Sequence, residues 1–102
     1  MKIRPQFDRG TIDMGRAEIS WKKRTEEGQK REVYAKHVGD QWKFYDREQR
    51  FDDWQPLPQP PLDDWLELLD GVRRRIGRRL LRPEEEDRVV KAILLRYPEA
   101  EV

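Results

Sequence analysis

The chain has 102 residues, of which 42% are charged, yet its formal net charge is only +1. This length is sufficient for one hydrophobic core, and we predict a single domain over residues 1–102. The absence of cysteine excludes disulfides, thiolate nucleophiles and zinc–cysteine sites. Four Trp, three Tyr and three Phe residues with so small a net charge favour a folded chain over a disordered one.

The first quarter of the chain has the alternating pattern of β-strands. A short strand is predicted over residues 2–7, and Pro5 restricts it to the edge of a sheet because proline cannot donate a ladder hydrogen bond. A longer strand is predicted over residues 11–25, but the parity of its apolar residues changes at Gly15-Arg16. Either a β-bulge at this point or a turn that divides the segment explains the change.

A β-hairpin is predicted at Gly39-Asp40, where two strand-like segments are joined by two turn-forming residues. Centring the turn there pairs Val38 with Gln41 and Tyr34 with Tyr45. The predicted buried face consists of Val33, Ala35, His37, Trp42 and Phe44. The opposite face carries Tyr34, Lys36, Val38, Lys43 and Tyr45.

Residues 51–61 are predicted to form an extended connection between the β-strands and the helices. Four prolines lie within residues 56–61, which is incompatible with helix and typical of a polyproline-like conformation. The β-strands therefore occupy residues 2–50 and the helices follow this connection.

Two amphipathic helices are predicted over residues 62–82 and 84–97. Pro83 separates them, since the residue before a proline disfavours helical geometry. The apolar stripe of the first helix consists of Leu62, Trp65, Leu69, Val72, Ile76 and Leu80. Gly77 lies near the edge of this stripe, where we expect another backbone to approach closely. The predicted fold class is α+β, with three to four antiparallel strands packed against two C-terminal helices.

No constellation of residues indicates an enzyme, a metal site or a bound cofactor. His37 is the only histidine, and no glycine-rich phosphate loop or nucleophile elbow is present. Adjacent carboxylates such as Asp63 and Asp64 diverge by about 100° on a helix and do not converge on one ligand. We therefore expect a non-catalytic protein without a cofactor.

Association with a protein partner or with a second copy of the chain is the leading functional prediction. Several large apolar residues lie outside the main helical stripes or beside the proline-rich connection, and Trp and Leu near Arg are typical of interface cores. The residues predicted to contact a partner are Trp54, Trp65, Leu66, Leu68 and Leu81.

Nucleic-acid binding is the alternative prediction, because arginine binds phosphate through its planar guanidinium. The competing interpretation of this arginine cluster, at positions 73–82, is a solvated helix face neutralised by nearby acids. The cationic candidates on the helix are Arg74, Arg75, Arg78, Arg79 and Arg82. The candidates on the sheet are Lys36, Lys43, Tyr34 and Tyr45.

The N-terminal sequence lacks the hydrophobic region of a secretory signal, and no apolar run is long enough to span a membrane. We therefore expect a cytoplasmic protein that does not enter a membrane.

Overall fold

The computed structural model describes residues 18–39 and 41–102, and these residues form the α+β fold that the sequence predicts. Four antiparallel strands in the order β1-β2-β3-β4 are followed by two helices. The elements are β1 (Glu18–Arg24), β2 (Lys30–Val38), β3 (Gln41–Arg47), β4 (Gln55–Pro56), α1 (Leu62–Gly77) and α2 (Glu84–Arg96). The predicted strand at residues 2–7 and the predicted change at Gly15-Arg16 lie outside the described residues.

The hairpin between β2 and β3 has the predicted register. Val38 lies opposite Gln41, and Tyr34 lies opposite Tyr45. Gly39 has a φ of 63°, the left-handed region that a tight hairpin turn requires and that glycine adopts without steric cost. The register determines which side chains share a face, because a slip of one residue would exchange the two faces.

The proline-rich connection is more ordered than the sequence indicates. Gln55–Pro56 forms a short edge strand paired with β3, with Pro56 opposite Tyr45. Proline is tolerated at an edge, and the N–H of Leu57 donates to the Phe44 carbonyl at 2.9 Å. The sequence predicts an extended segment here but does not predict its pairing with β3.

Both helices pack against one face of the sheet, which we call the core face; the opposite side is the outer face. The core residues come from alternate positions of β1 to β3 and from one side of each helix. They are Ile19, Val33, Ala35, Trp42, Phe44, Trp65, Leu68, Leu69, Val72, Val89 and Ile93. Leu68 is fully buried, so the buried side of α1 is wider than the predicted stripe.

Helix α1 is attached to β1 by a buried carboxylate in its first turn. Asp64 is 1% exposed, and its Oδ1 accepts hydrogen bonds from Trp21 Nε1 at 3.0 Å and Lys23 Nζ at 3.1 Å. Further along the helix, Gly71 lies against Ile19. Because these contacts proceed in opposite chain directions, α1 runs antiparallel to β1 over the core face.

Helix α2 also brings a carboxylate from its first turn to the core face. Glu85 Oε1 lies 3.2 Å from His37 Nε2, an ion-pair distance without hydrogen-bond geometry, and Glu85 Oε2 accepts a 2.9 Å bond from Arg88. The first turns of both helices thus contact neighbouring strands through acidic side chains. The negative charge also suits the positive helix N-terminus.

The first helix ends at Gly77, and the predicted extension to Arg82 is wrong. The N–H of Leu80 donates to the Arg75 carbonyl at 2.8 Å, and that of Arg79 donates to the Ile76 carbonyl at 2.9 Å. This is the pattern of a Schellman motif, and Arg79 has the left-handed φ of 62° that the motif requires. The chain therefore turns several residues before Pro83.

Two glycines in α1 give a matched test of the packing against β1. A Cβ added at Gly71 would lie 2.6 Å from Ile19 Cγ2, whereas the same atom at Gly77 has no neighbour within 4 Å among the described residues. The predicted close approach at Gly77 is therefore wrong, and it occurs at Gly71. Gly77→Ala should raise the free energy of unfolding by about 0.5–1 kcal/mol through helix propensity. Gly71→Ala should lower it by about 1 kcal/mol because overpacking outweighs the same gain.

Urea denaturation of both variants measures this difference. Equal stabilisation by the two substitutions would show that α1 does not rest on Ile19.

The attachment through Asp64 can be compared with its exposed neighbour. Asp64→Ala should lower the free energy of unfolding by about 2–3 kcal/mol, since it leaves Trp21 Nε1 and Lys23 without their buried acceptor. Asp63 contacts the same lysine at 3.2 Å, but its side chain is 68% exposed. Asp63→Ala should therefore cost less than about 1 kcal/mol. Denaturant melts of the two variants with equal losses would contradict the role assigned to Asp64.

Candidate nucleic-acid interface

The outer face of the sheet is organised in cross-strand rows, because alternate residues of neighbouring strands lie side by side. Its central row contains Ser20, Tyr34, Tyr45 and Pro56, one residue from each strand. No described helix packs on this side. Side chains of this row consequently lie on the opposite side of the sheet from the hydrophobic core.

Three aromatic rings form a cluster on the outer face, which we call the aromatic platform: Tyr34, Tyr45 and Trp54. The rings of Tyr34 and Tyr45 are stacked, with centroids 4.9 Å apart and an interplanar angle of 19°. Trp54 meets Tyr34 edge-on at 4.7 Å. Pairing of β4 with β3 brings Trp54 to this position, since Trp54 immediately precedes β4. All three side chains are partly exposed.

Basic residues lie in the rows on both sides of the platform. On one side the row contains Glu18, Lys36 and Lys43, and on the other it contains Lys22, Glu32 and Arg47. Over all the described strands the outward cations are Lys22, Arg24, Lys30, Lys36, Lys43 and Arg47, against the carboxylates of Glu18 and Glu32. The outer face is therefore distinctly basic although the whole chain is nearly neutral.

The cations beside the platform differ in how they are neutralised. Arg47 donates to Glu32 at 2.7 Å, and its guanidinium carbon lies 4.2 Å from the centroid of the Trp54 ring. Lys36 and Lys43 form no ion pair with any residue between 18 and 102 that the structure describes. Lys36 and Lys43 are directly opposed like charges, an arrangement that does not stabilise a sheet, although Glu18 lies opposite Lys36 on the other side.

The arginines within α1 have partners: two pair with acids of the helical layer, and Arg75 contacts the backbone of β1. Arg74 forms an ion pair with Asp70, and Arg73 Nε lies 2.9 Å from Glu86 Oε2. Arg75 Nη2 donates to the Glu18 carbonyl at 3.4 Å. Burial, together with the charges of Arg74 and Arg78, lowers the pKa of Arg75. The first part of the predicted phosphate-binding cluster thus has structural partners.

Arg78, Arg79 and Arg82 are exposed and have no ion-pair partner in the described part of the chain. They lie in the cap and turn after α1, not on a continuous helix face. The helices pack on the core face, so these arginines and the outward residues Lys36 and Lys43 belong to different layers. The predicted nucleic-acid residues therefore form two separate groups.

The residues predicted to contact a protein partner do not form one surface. Trp65 is 3% exposed and Leu68 is 0% exposed, so a partner would reach them only by opening the core. Leu81 packs at the edge of that core. Trp54 belongs to the aromatic platform on the outer face, and Leu66, at 39% exposed, is the remaining accessible member of the set.

The sequence analysis did not place two residues, Arg47 and Trp54, on the outer face. Arg47 has the same strand parity as Lys43 and Tyr45, so continuing the alternation along β3 could have placed it on this face. Trp54 gave no such signal, because its position depends on the unpredicted pairing of Gln55–Pro56.

Other classes of site receive no support from the described residues. Within residues 18–39 and 41–102 no group of three or more His, Cys, Asp or Glu side chains is arranged to hold a metal ion. Neither described helix has the length and apolar character needed to cross a membrane. Comparison with protein-family models, curated proteins and solved structures finds no match to this chain.

Arg79 offers a test of the helix end without loss of a contact. Arg79→Gly should raise the free energy of unfolding by about 1 kcal/mol, since glycine adopts the left-handed conformation without the Cβ penalty. Thermal or urea denaturation measures the change, with Arg78→Gly as a control that should be destabilising or neutral because Arg78 has a negative φ. Destabilisation by Arg79→Gly would contradict the assigned cap.

Proposed function

We propose that the protein binds single-stranded nucleic acid on the outer face of its sheet. The observation that carries this proposal is the aromatic platform with basic rows on both sides. Proteins that bind single strands combine aromatic rings, on which bases stack, with cations that follow the phosphate backbone. Both components lie next to one another on this face.

The spacing of the rows allows a bound nucleic-acid strand to stack its bases on the platform while nearby cations neutralise its phosphates. Residues two positions apart on a strand lie about 7 Å apart. Lys43 and Arg47 therefore each lie about 7 Å along β3 from Tyr45, on opposite sides of it, and about 14 Å from each other. A base that contacts the platform would have a cation on either side to meet phosphates of the bound strand.

A single strand suits the face better than a duplex does. Bases in a duplex are stacked on each other and do not present their faces to a protein, whereas unpaired bases stack on exposed aromatic rings. The local basic charge supplies phosphate contacts without a high net charge for the whole chain. This function differs from the leading sequence prediction, because the residues expected to bind a protein partner are mostly buried or dispersed.

The proposal is tested by binding of short mixed-sequence DNA and RNA strands to the full chain at low salt, followed by fluorescence anisotropy. Tyr45→Ala should weaken binding by roughly 5- to 150-fold, the effect of about 1–3 kcal/mol for loss of one stacking ring. Tyr45→Phe should retain most of the affinity, since stacking does not need the hydroxyl.

The phosphate contacts have a separate readout. Lys43→Ala should reduce the slope of log affinity against log salt concentration by about 0.7, the value for one phosphate contact in a single strand. Lys91→Ala is the matched control because Lys91 is an exposed lysine on α2, and its slope should not change. The proposal fails if neither nucleic acid binds at low salt, or if Tyr45→Ala and Lys43→Ala bind as the parent chain does.

A further inference from the structure

A basic cavity of about 860 Å³ lies at the end of the sheet remote from Lys36 and Lys43. It is formed by the last residues of β1, the first residues of β2 and the segment that follows β3. Six of its lining residues are lysine or arginine, whereas Glu32 and Glu48 are its carboxylates. The cavity is thus a concave and locally cationic surface.

Part of this positive charge already has a structural role. Lys23 contacts Asp63 and Asp64, and Arg31 forms an ion pair with Asp46. Arg24 Nη1 donates to the carbonyl of Gly28 at 2.9 Å. These contacts hold the side chains in place around the cavity.

Three further cations of the cavity have no ion-pair partner among the residues for which the structure gives a position: Lys22, Lys30 and Arg50. Glu32 is bound by Arg47 and does not neutralise them. In addition, Nε of Arg31 is buried and has no hydrogen-bond partner there. A buried donor without an acceptor is costly, and an anionic oxygen would supply one.

The cavity continues the basic rows of the outer face. Lys22 lies in the row beside the platform, and Arg24 and Lys30 form the next row towards the cavity. From Lys36 to Lys30 the strand advances six residues, or about 20 Å. Asp46, Asp52 and Asp53 line a neighbouring cavity that shares Gln29, Arg31 and Glu48 with the basic one. Of these three carboxylates, Asp46 is the one that pairs with a cation of the basic cavity, Arg31.

We infer that this basic cavity binds a phosphate group, which in the single-strand complex is a backbone phosphate beyond the platform. The assignment of that phosphate to a nucleic-acid backbone rests on the proposed function. A free phosphate compound has the same chemistry, and the experiment separates the two sources.

The test uses amide chemical shifts of the full chain titrated with inorganic pyrophosphate and, separately, with a short single strand. Pyrophosphate should shift amides at 22–24, 29–32 and 48–50, and should leave those of α2 unchanged. Lys30→Glu should abolish the pyrophosphate shifts and weaken strand binding roughly tenfold. Arg50→Glu gives an independent substitution outside the strands, and Lys91→Glu is the charge-matched control. Tyr45→Ala should leave pyrophosphate binding unchanged.

The possible outcomes separate the two proposals. Localised pyrophosphate shifts without strand binding support the phosphate site and assign it to a free phosphate compound, while the proposed function fails. Strand binding that both cavity variants leave unchanged, with pyrophosphate shifts absent or spread over all lysines, overturns the phosphate site but leaves the proposed function standing. Melting curves of the variants confirm that each remains folded.

Discussion

Attachment of both helices to one face of the sheet is the constraint on which the rest of the structure depends. Asp64 in the first turn of α1 accepts hydrogen bonds from two residues of β1, and Glu85 in the first turn of α2 lies beside His37 of β2. These contacts and the apolar core fix both helices on the core face. The opposite face of the described sheet is consequently left to partly exposed aromatic and basic side chains.

Much of the sheet could be predicted, because short-range rules determine it. The turn-forming sequence after Val38 predicts the β2–β3 register, and alternation then separates Tyr34 and Tyr45 from the buried residues. The short β4 could not be predicted in this way. Proline-rich sequence favours an extended conformation, but only tertiary contact decides whether that segment pairs with an edge.

The errors in the predicted buried side and end of α1 arise from tertiary and backbone contacts that a helical wheel does not show. Leu68 is buried because α1 packs against β1 and α2 together, which widens the buried side beyond one stripe. The end of the helix was missed because Arg79 adopts the left-handed conformation that usually indicates glycine. In the sequence, Asp64 has the pattern of an exposed carboxylate in the first turn of a helix. Its burial depends on contacts with Trp21 and Lys23 of β1, which the sequence pattern does not show.

In the candidate site, too, local sequence rules predicted some features, and tertiary contacts determined the others. The alternation of strand residues predicted that Tyr34, Tyr45 and Lys43 share a face. It did not predict that Trp54 lies beside them, and it did not predict that this face is separate from the arginines of the helical layer.

Photo-crosslinking of a single strand containing photoactivatable uridine, followed by peptide mass spectrometry, tests the arrangement most directly. Crosslinks at Tyr34, Tyr45 and Trp54 are the predicted result. Crosslinks confined to residues 78–82 or to the helices would contradict it.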